Sequence, residues 1–322
     1  MIDKRKWQTI GALFACAVVL VVPILAGPFW QYLLANILLL SVFALSFNVL
    51  FGMAGFLSFG HAAFFAIGAY VSAAVLMAGY PIVIAVPIGT AAAALLALVI
   101  GFFCIRHTKV YFSLLTLAFG MMVHAIIWKW TAVTGGDDGL VGVPRGITAL
   151  PGFSLPELRG LPGLYLVLTL VCLVAIWALY RIHRSPFGKV LNGIRENYNR
   201  IDFAGINSRR TLLLAFLLAG TFAGLAGSLM APLEGSVAPS VAHWTKSAEP
   251  VMATLIGGPY VFFGPFVGAA IFIGLKEIIV RFTEYWLLIF GAVLMGVVLG
   301  FRGGVAGFVV DYWQARSRHK RG

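Results

Sequence analysis

Few side chains in this sequence are spaced for covalent chemistry. Ser58 and His61 stand three residues apart, a spacing that lets a hydroxyl and an imidazole share a helix face as nucleophile and base. Gly60 interrupts that run and no third group nearby would orient the ring, so hydrolase chemistry is not expected. Phe187-Gly188-Lys189 is the nearest approach to a phosphate-binding loop, but Val190 stands where Ser or Thr would hold Mg²⁺. No His-Glu-x-x-His occurs. Cys16, Cys104 and Cys172 lie in or beside apolar runs without a close Cys-x-x-Cys pair, which argues against a disulfide framework or a zinc site. Asp137 and Asp138 sit in the turn-rich run Thr134-Gly135-Gly136-Asp137-Asp138-Gly139-Leu140, which lacks the alternating oxygens and final Glu of an EF-hand loop. The expectation is a chain that is not an enzyme and binds no metal or cofactor of its own.

The elements that hold these residues are apolar almost throughout. Of 322 residues 61% are hydrophobic and 11% charged, against about 25% charged in a soluble domain, and the mean hydropathy is +0.98. A water-soluble globule and a disordered chain are both excluded, and the +12 net charge does not signal nucleic-acid binding. An all-α polytopic membrane protein remains. Apolar runs lie at 9–26, 30–51, 61–79, 82–105, 111–133, 161–181, 211–233, 250–257, 261–280 and 285–301. Each full crossing needs about 20 residues. About ten transmembrane segments in a single domain, 1–322, fit that pattern if the last third crosses three times, and eight if it crosses once, with 9–26 read as an uncleaved first span.

Two of the runs are interrupted. Small residues break the chain between Gly52 and Gly60, and Pro250–Gly257 is too short to cross alone. Discontinuous helices are tolerated only where protein or a cavity satisfies their backbone groups. Phe51-Gly52, Phe59-Gly60 and Phe64 to Ala69 compare with Gly257-Gly258, Phe263-Gly264 and Phe266 to Ala269, and paired interruptions of this kind point to an internal repeat around a midplane pathway. Glycines at four-residue spacing, such as Gly220/Gly224 and Gly264/Gly268, are read as close helix packing.

Seventeen of the 23 Lys and Arg fall in the N-terminal tail, the 105–110 turn, the 181–210 segment and the basic 302–322 tail. The positive-inside rule therefore places these and both termini in the cytoplasm, leaving 134–160 as an outer, periplasmic loop. Ser185 to Asn207 is the main soluble segment. Ser185-Pro186 offers an N-cap followed by proline at the first helical position, Val190, Ile194, Tyr198 and Ile201 recur at helical spacing, and Gly205 can end the helix. One amphipathic helix is expected over 185–207. It either docks on a partner or rests on the membrane surface, and the acids Glu196 and Asp202 favour docking.

Several of these runs together resemble the branched-chain amino acid ABC transporter permeases, in particular the M-type subunit. They are Leu50 to Tyr70, Leu115 to Gly120, Thr134 to Leu140, Ile194-Arg195-Glu196-Asn197, Ala204-Gly205-Ile206-Asn207 and His243 to Pro250, in order along residues 45–305. Permeases for urea, amides and aromatic acids share much of the pattern. The resemblance implies a multi-pass subunit of a bacterial inner membrane. Its partners would be a second homologous permease, two cytoplasmic ATPases that bind ATP and Mg, and a periplasmic substrate-binding protein. The 185–207 segment would be the coupling element, with Arg195, Glu196, Asn197, Ala204 and Gly205 at the ATPase, and Asp137 and Asp138 at the binding protein. A zwitterionic cargo is costly to bury in hydrocarbon, so polar residues near the break, Asn48, Ser58, His61 and Thr116, are the expected pathway groups. An ion-coupled secondary transporter is the alternative of another class. Glu277 is its candidate acid, read as neutralised by Lys276.

Overall fold

The computed structural model describes residues 27–107, 109–145, 161–282, 285–300 and 303–308. The 9–26 run, most of the 134–160 loop and the 302–322 tail, with both termini, lie outside the described residues apart from 303–308.

Helix α1 spans Pro28–Asn48 and runs on without interruption into a π-helical segment, Val49–Ala54. Helix α2 is His61–Met77, α3 Ile82–Cys104, α4 Lys109–Lys129 and α5 Leu161–Arg184. Two short helices follow, α6 (Pro186–Glu196) and α7 (Tyr198–Phe203), and then the long α8, Ser208–Glu234. Trp244–Gly257 forms α9, Gly264–Phe282 α10 and Trp286–Gly300 α11. The two-residue strands β1 (Leu140–Val141) and β2 (Ser236–Val237) pair antiparallel across the end opposite α6 and α7.

The described chain is an all-α polytopic membrane protein. Five helices are long and apolar enough to cross a bilayer: α1 with its π segment, α3, α4, α5 and α8. The remaining helices are shorter or carry charge, as α10 does with Lys276, Glu277 and Arg281. Large apolar side chains line the outside, among them Leu95, Val99 and Phe103 on α3 and Val110, Tyr111 and Leu114 on α4. A soluble protein would not expose so broad an apolar surface, whereas lipid or partner helices cover it without cost.

Glycine sets how closely the helices approach. A Cβ on Gly60 would collide with the Thr116 carbonyl, and one on Gly120 would lie 2.8 Å from the Gly60 Cα. Gly68 meets the Gly224 backbone in the same way, and Gly257 meets Gly264. Backbone therefore lies on backbone, as small residues permit in membrane helices.

Both interruptions are present and alike in form. The first helix ends at Gly55 with φ +77° and the second at Gly258 with φ +105°, conformations that glycine adopts without strain. A helix resumes at His61 and at Gly264, six residues on in each case. The short piece expected at 250–257 begins earlier, at Trp244, because the imidazole of His243 caps the helix by accepting from the Thr245 N–H. The two interruptions touch: the Asn48 Nδ2 donates to the Pro259 carbonyl at 3.1 Å, and Gly52 leaves room for that carbonyl.

Candidate functional site

The segment 185–207 departs from the single helix expected of it. Ser185 does cap α6, its Oγ accepting from the Gly188 N–H at 3.3 Å. At Asn197 the backbone turns extended, φ −156° and ψ 104°, and the Asn197 Oδ1 accepts from the Arg200 N–H to cap a second helix, α7. A residue that caps its own successor stops the first helix, since the cap position requires non-helical dihedrals. Gly205 ends α7 at φ +82° as expected, with the Gly205 N–H on the Asp202 carbonyl and the Ile206 N–H on that of Ile201, a Schellman pattern. The Asp202 carboxylate then accepts from the Ser208 N–H and starts α8.

This helix–turn–helix presents two faces. Leu191 and Ile194 are buried against the membrane helices, with Val190, Tyr198 and Ile201 packed beside them. Glu196, Asn197, Ala204 and Gly205 are exposed along the apex, and Phe203 stands 90% exposed between them. Phe203 was not among the residues singled out from sequence, where it reads only as one more aromatic. Arg195, expected at the exposed contact, points the other way. Its guanidinium donates to the Gly52 carbonyl and lies 5.0 Å from the centre of the Tyr260 ring, so it ties α6 to both interruptions at once. The His183 ring and Tyr180 of α5 pack on Phe262 nearby.

The four expected pathway residues are all buried. His61 stacks on Phe43 at 5.4 Å and its Nε2 lies 3.0 Å from the Ser46 Oγ. Thr116 donates back to the Ser113 carbonyl within its own helix. Asn48 is held by Pro259, and the Ser58 Oγ has no hydrogen-bond partner among the described residues. Ser247 of α9 accepts from the Ala62 N–H at 2.8 Å, supplying one of the unpaired donors at the start of α2.

At the opposite end Asp137 and Asp138 are exposed on a 3₁₀ turn, Gly136–Asp138, and Asp137 accepts from the Trp128 indole at 3.2 Å. Glu277 is paired with Arg281 at 2.9 Å, a partner that the sequence reading did not name. No group of three or more His, Cys, Asp or Glu side chains among the described residues is placed to hold a metal ion.

A family model for the permease component of branched-chain amino acid transport systems matches residues 29–298. The chain belongs to this permease family. It is 28% identical over 273 residues to LivM of Escherichia coli (strain K12), a high-affinity branched-chain amino acid transport system permease, across 79% of this chain and 64% of LivM. It thus spans less than two thirds of that relative's length. LivH of the same strain is 25% identical, over 83% of this chain and 91% of its own. An autoinducer 2 import permease, LsrD of Yersinia enterocolitica, is 26% identical over 75% and 74%. No solved structure matches the chain. Family membership agrees with the resemblance carried by the ordered motifs. It also shows that permeases named for different cargoes share the same framework.

Proposed function

We propose that this chain is the M-type permease subunit of an ATP-driven importer in a bacterial inner membrane, with branched-chain or related amino acids as cargo. The observation that carries the reading is the α6–α7 apex. In a member of a transport permease family, an exposed edge of Glu196, Asn197, Phe203, Ala204 and Gly205 stands at the end where Arg106, Arg181, Arg184, Arg209 and Arg210 gather. An aromatic side chain left 90% open at that end is the anchor that a partner's pocket would cover.

The positive-inside rule puts that end in the cytoplasm, where two ATPases dock and bind ATP and Mg. Asp137 and Asp138 then face a periplasmic binding protein, and a second homologous permease completes the pathway. The chain makes and breaks no covalent bond. Its work is alternating access, biased by differential affinity of partners and cargo for the two states. Asn48, Ser58, His61 and Thr116, all buried at or near the first interruption, are the pathway groups of this reading. Urea, amides and aromatic acids are the alternative cargoes within the same reading. An ion-coupled mechanism loses its candidate acid to the Glu277–Arg281 pair.

The test is the importer reconstituted with its ATPases and binding protein. Glu196→Lys is a surface change expected to cost under about 0.5 kcal/mol of stability. Gly205→Val forces a β-branched residue to positive φ and displaces the apex. Both should lose amino-acid uptake and ATPase co-purification while the permease remains folded. Parent-like uptake and ATP hydrolysis in both variants would leave α6–α7 a membrane-surface element and remove the coupling assignment.

A further inference from the structure

Between α1, α2, α8, α9 and α10 lies a cavity of about 290 Å³, at the lower edge of the ~300–1,000 Å³ usual for small-molecule sites. Its exposed lining is at the end of Tyr32, Glu277 and Val280, and its floor is Phe43, Phe65 and Phe272, all buried. Phe43 lies about 22 Å along α1 from Pro28 at 1.5 Å per residue, so the cavity descends to the middle of that span. Its walls are charged. The Lys246 ammonium lies 2.6 Å from the Glu249 carboxylate, with both side chains only about a fifth exposed. Glu234 accepts from the Tyr32 hydroxyl at 2.8 Å, and Lys276 and Glu277 complete the lining, the latter held by Arg281. None of the polar residues singled out from the sequence near the first interruption reaches this cavity.

We propose that this cavity is a transport subsite for a zwitterionic α-amino acid with an apolar side chain. The carboxylate meets Lys246, the ammonium meets Glu249, and the side chain rests on Phe43, Phe65 and Phe272. The proposal rests on the importer reading and names where its cargo sits. Ionisable groups at this depth are expensive to keep and mark a pathway by default. Here Lys246 and Glu249 already neutralise each other, and Arg281 pairs with Glu277 at the rim. A zwitterion preserves that balance, because each end trades one ion pair for another. A keto acid or an amine brings one uncompensated charge into a medium where such a charge is costly. The aromatic floor has no polar group to offer a polar side chain, which favours aliphatic and aromatic amino acids.

The location also supplies a route to the ATPase end. Lys246 and Glu249 are in the first half of α9, and just beyond its end Pro259 and Tyr260 touch Asn48 and Arg195. A ligand that repositions α9 is felt at α6.

Two measurements test the subsite in the reconstituted importer. The first replaces both charges together, Lys246→Met with Glu249→Met, so that no buried charge is left alone. Leucine uptake should fall at least about tenfold, the loss expected when a charged hydrogen bond to the ligand is removed. ATPase subunits and binding protein should still co-purify. The second uses Ile273→Cys on the cavity wall, labelled by a small methanethiosulfonate against the parent as background. Leucine should slow the labelling, and neither leucinamide nor 4-methyl-2-oxopentanoate should do so. Parent-like uptake by the double variant, or labelling indifferent to leucine, overturns the subsite. Protection by the amide or the keto acid in place of leucine overturns the zwitterion assignment. If the parent complex imports no amino acid, the importer reading fails instead. Ile273→Cys protection then still decides whether the cavity takes a zwitterion.

Discussion

Arg195 lies in the most polar stretch of the sequence and yet faces the interior. Among its partners are Gly52, 143 residues earlier, and Tyr260, in the second interruption. Nothing in local spacing reveals such a contact. The neighbouring residue Glu196, with the same local signals, is exposed as the sequence suggests. The pairing makes Arg195 a positioning residue between α6 and the two interruptions. Arg195→Gln should therefore raise the ATP consumed per amino acid imported while ATPase docking persists. Arg195→Lys should not restore coupling, since a single ammonium cannot both reach the carbonyl and stack on the ring. A charged hydrogen bond of this kind is worth about 1.5–3 kcal/mol, enough to shift a two-state balance tenfold or more. Uptake stoichiometry in proteoliposomes checks this, and unchanged stoichiometry in Arg195→Gln would reject it. The pathway residues teach a related lesson. Asn48, Ser58, His61 and Thr116 are polar residues in apolar runs, and what holds each one, whether backbone, a serine or a packed interior, is set by residues distant in the sequence or by its own helix. Lys246 and Glu249, which do line a cavity, fall between the apolar runs in the sequence because the start of α9 is too polar to count as a span.

At the scale of elements, the ends of helices were the most legible feature. Ser185, Gly205 and Asn207 each behave as their residue types suggest, because a cap depends on only a few neighbouring atoms. The break at Asn197 was also written in the sequence, as an asparagine ahead of Tyr198-Asn199-Arg200. The steady apolar period Val190, Ile194, Tyr198, Ile201 concealed it, since two helices meeting at a cap can keep the same buried face. Asn197→Ala removes the acceptor that satisfies the Arg200 N–H and should cost about 1 kcal/mol of local stability. Amide exchange across α7 should then run roughly fivefold faster, with α6 and α8 unaffected. Exchange that is unchanged, or that rises equally in all three helices, would show that Asn197 does not separate two units. The interruptions at Gly55 and Gly258 were legible as interruptions. Their mutual contact was not, because it joins residues more than 200 positions apart.

For the whole molecule, the distribution of basic residues gives a test of orientation. The exposed Asp138 and Asn199 lie at opposite ends, so Asp138→Cys should react with an impermeant thiol reagent in intact cells and Asn199→Cys only after permeabilisation. The reverse pattern would invert the molecule and move the α6–α7 apex away from any cytoplasmic ATPase. Gly139, which the sequence offers as an equivalent outer position, is unsuitable: it is buried at φ +69° against the Val237 carbonyl. The close glycine contacts carry a mechanical consequence. With no side chain between Gly60 and Gly120, or between Gly68 and Gly224, α2 cannot slide on α4 or α8 without backbone striking backbone. The same holds between α9 and α10 at Gly257, Gly264 and Gly268. Among the described residues α2, α4 and α8 are thus locked on one side and α9 with α10 on the other, and the charged cavity lies where both meet α1. Phe65 stands on one of these walls and Phe272 on the other, so a stroke that turned α9 and α10 against α2 would change their separation and the volume of the recess.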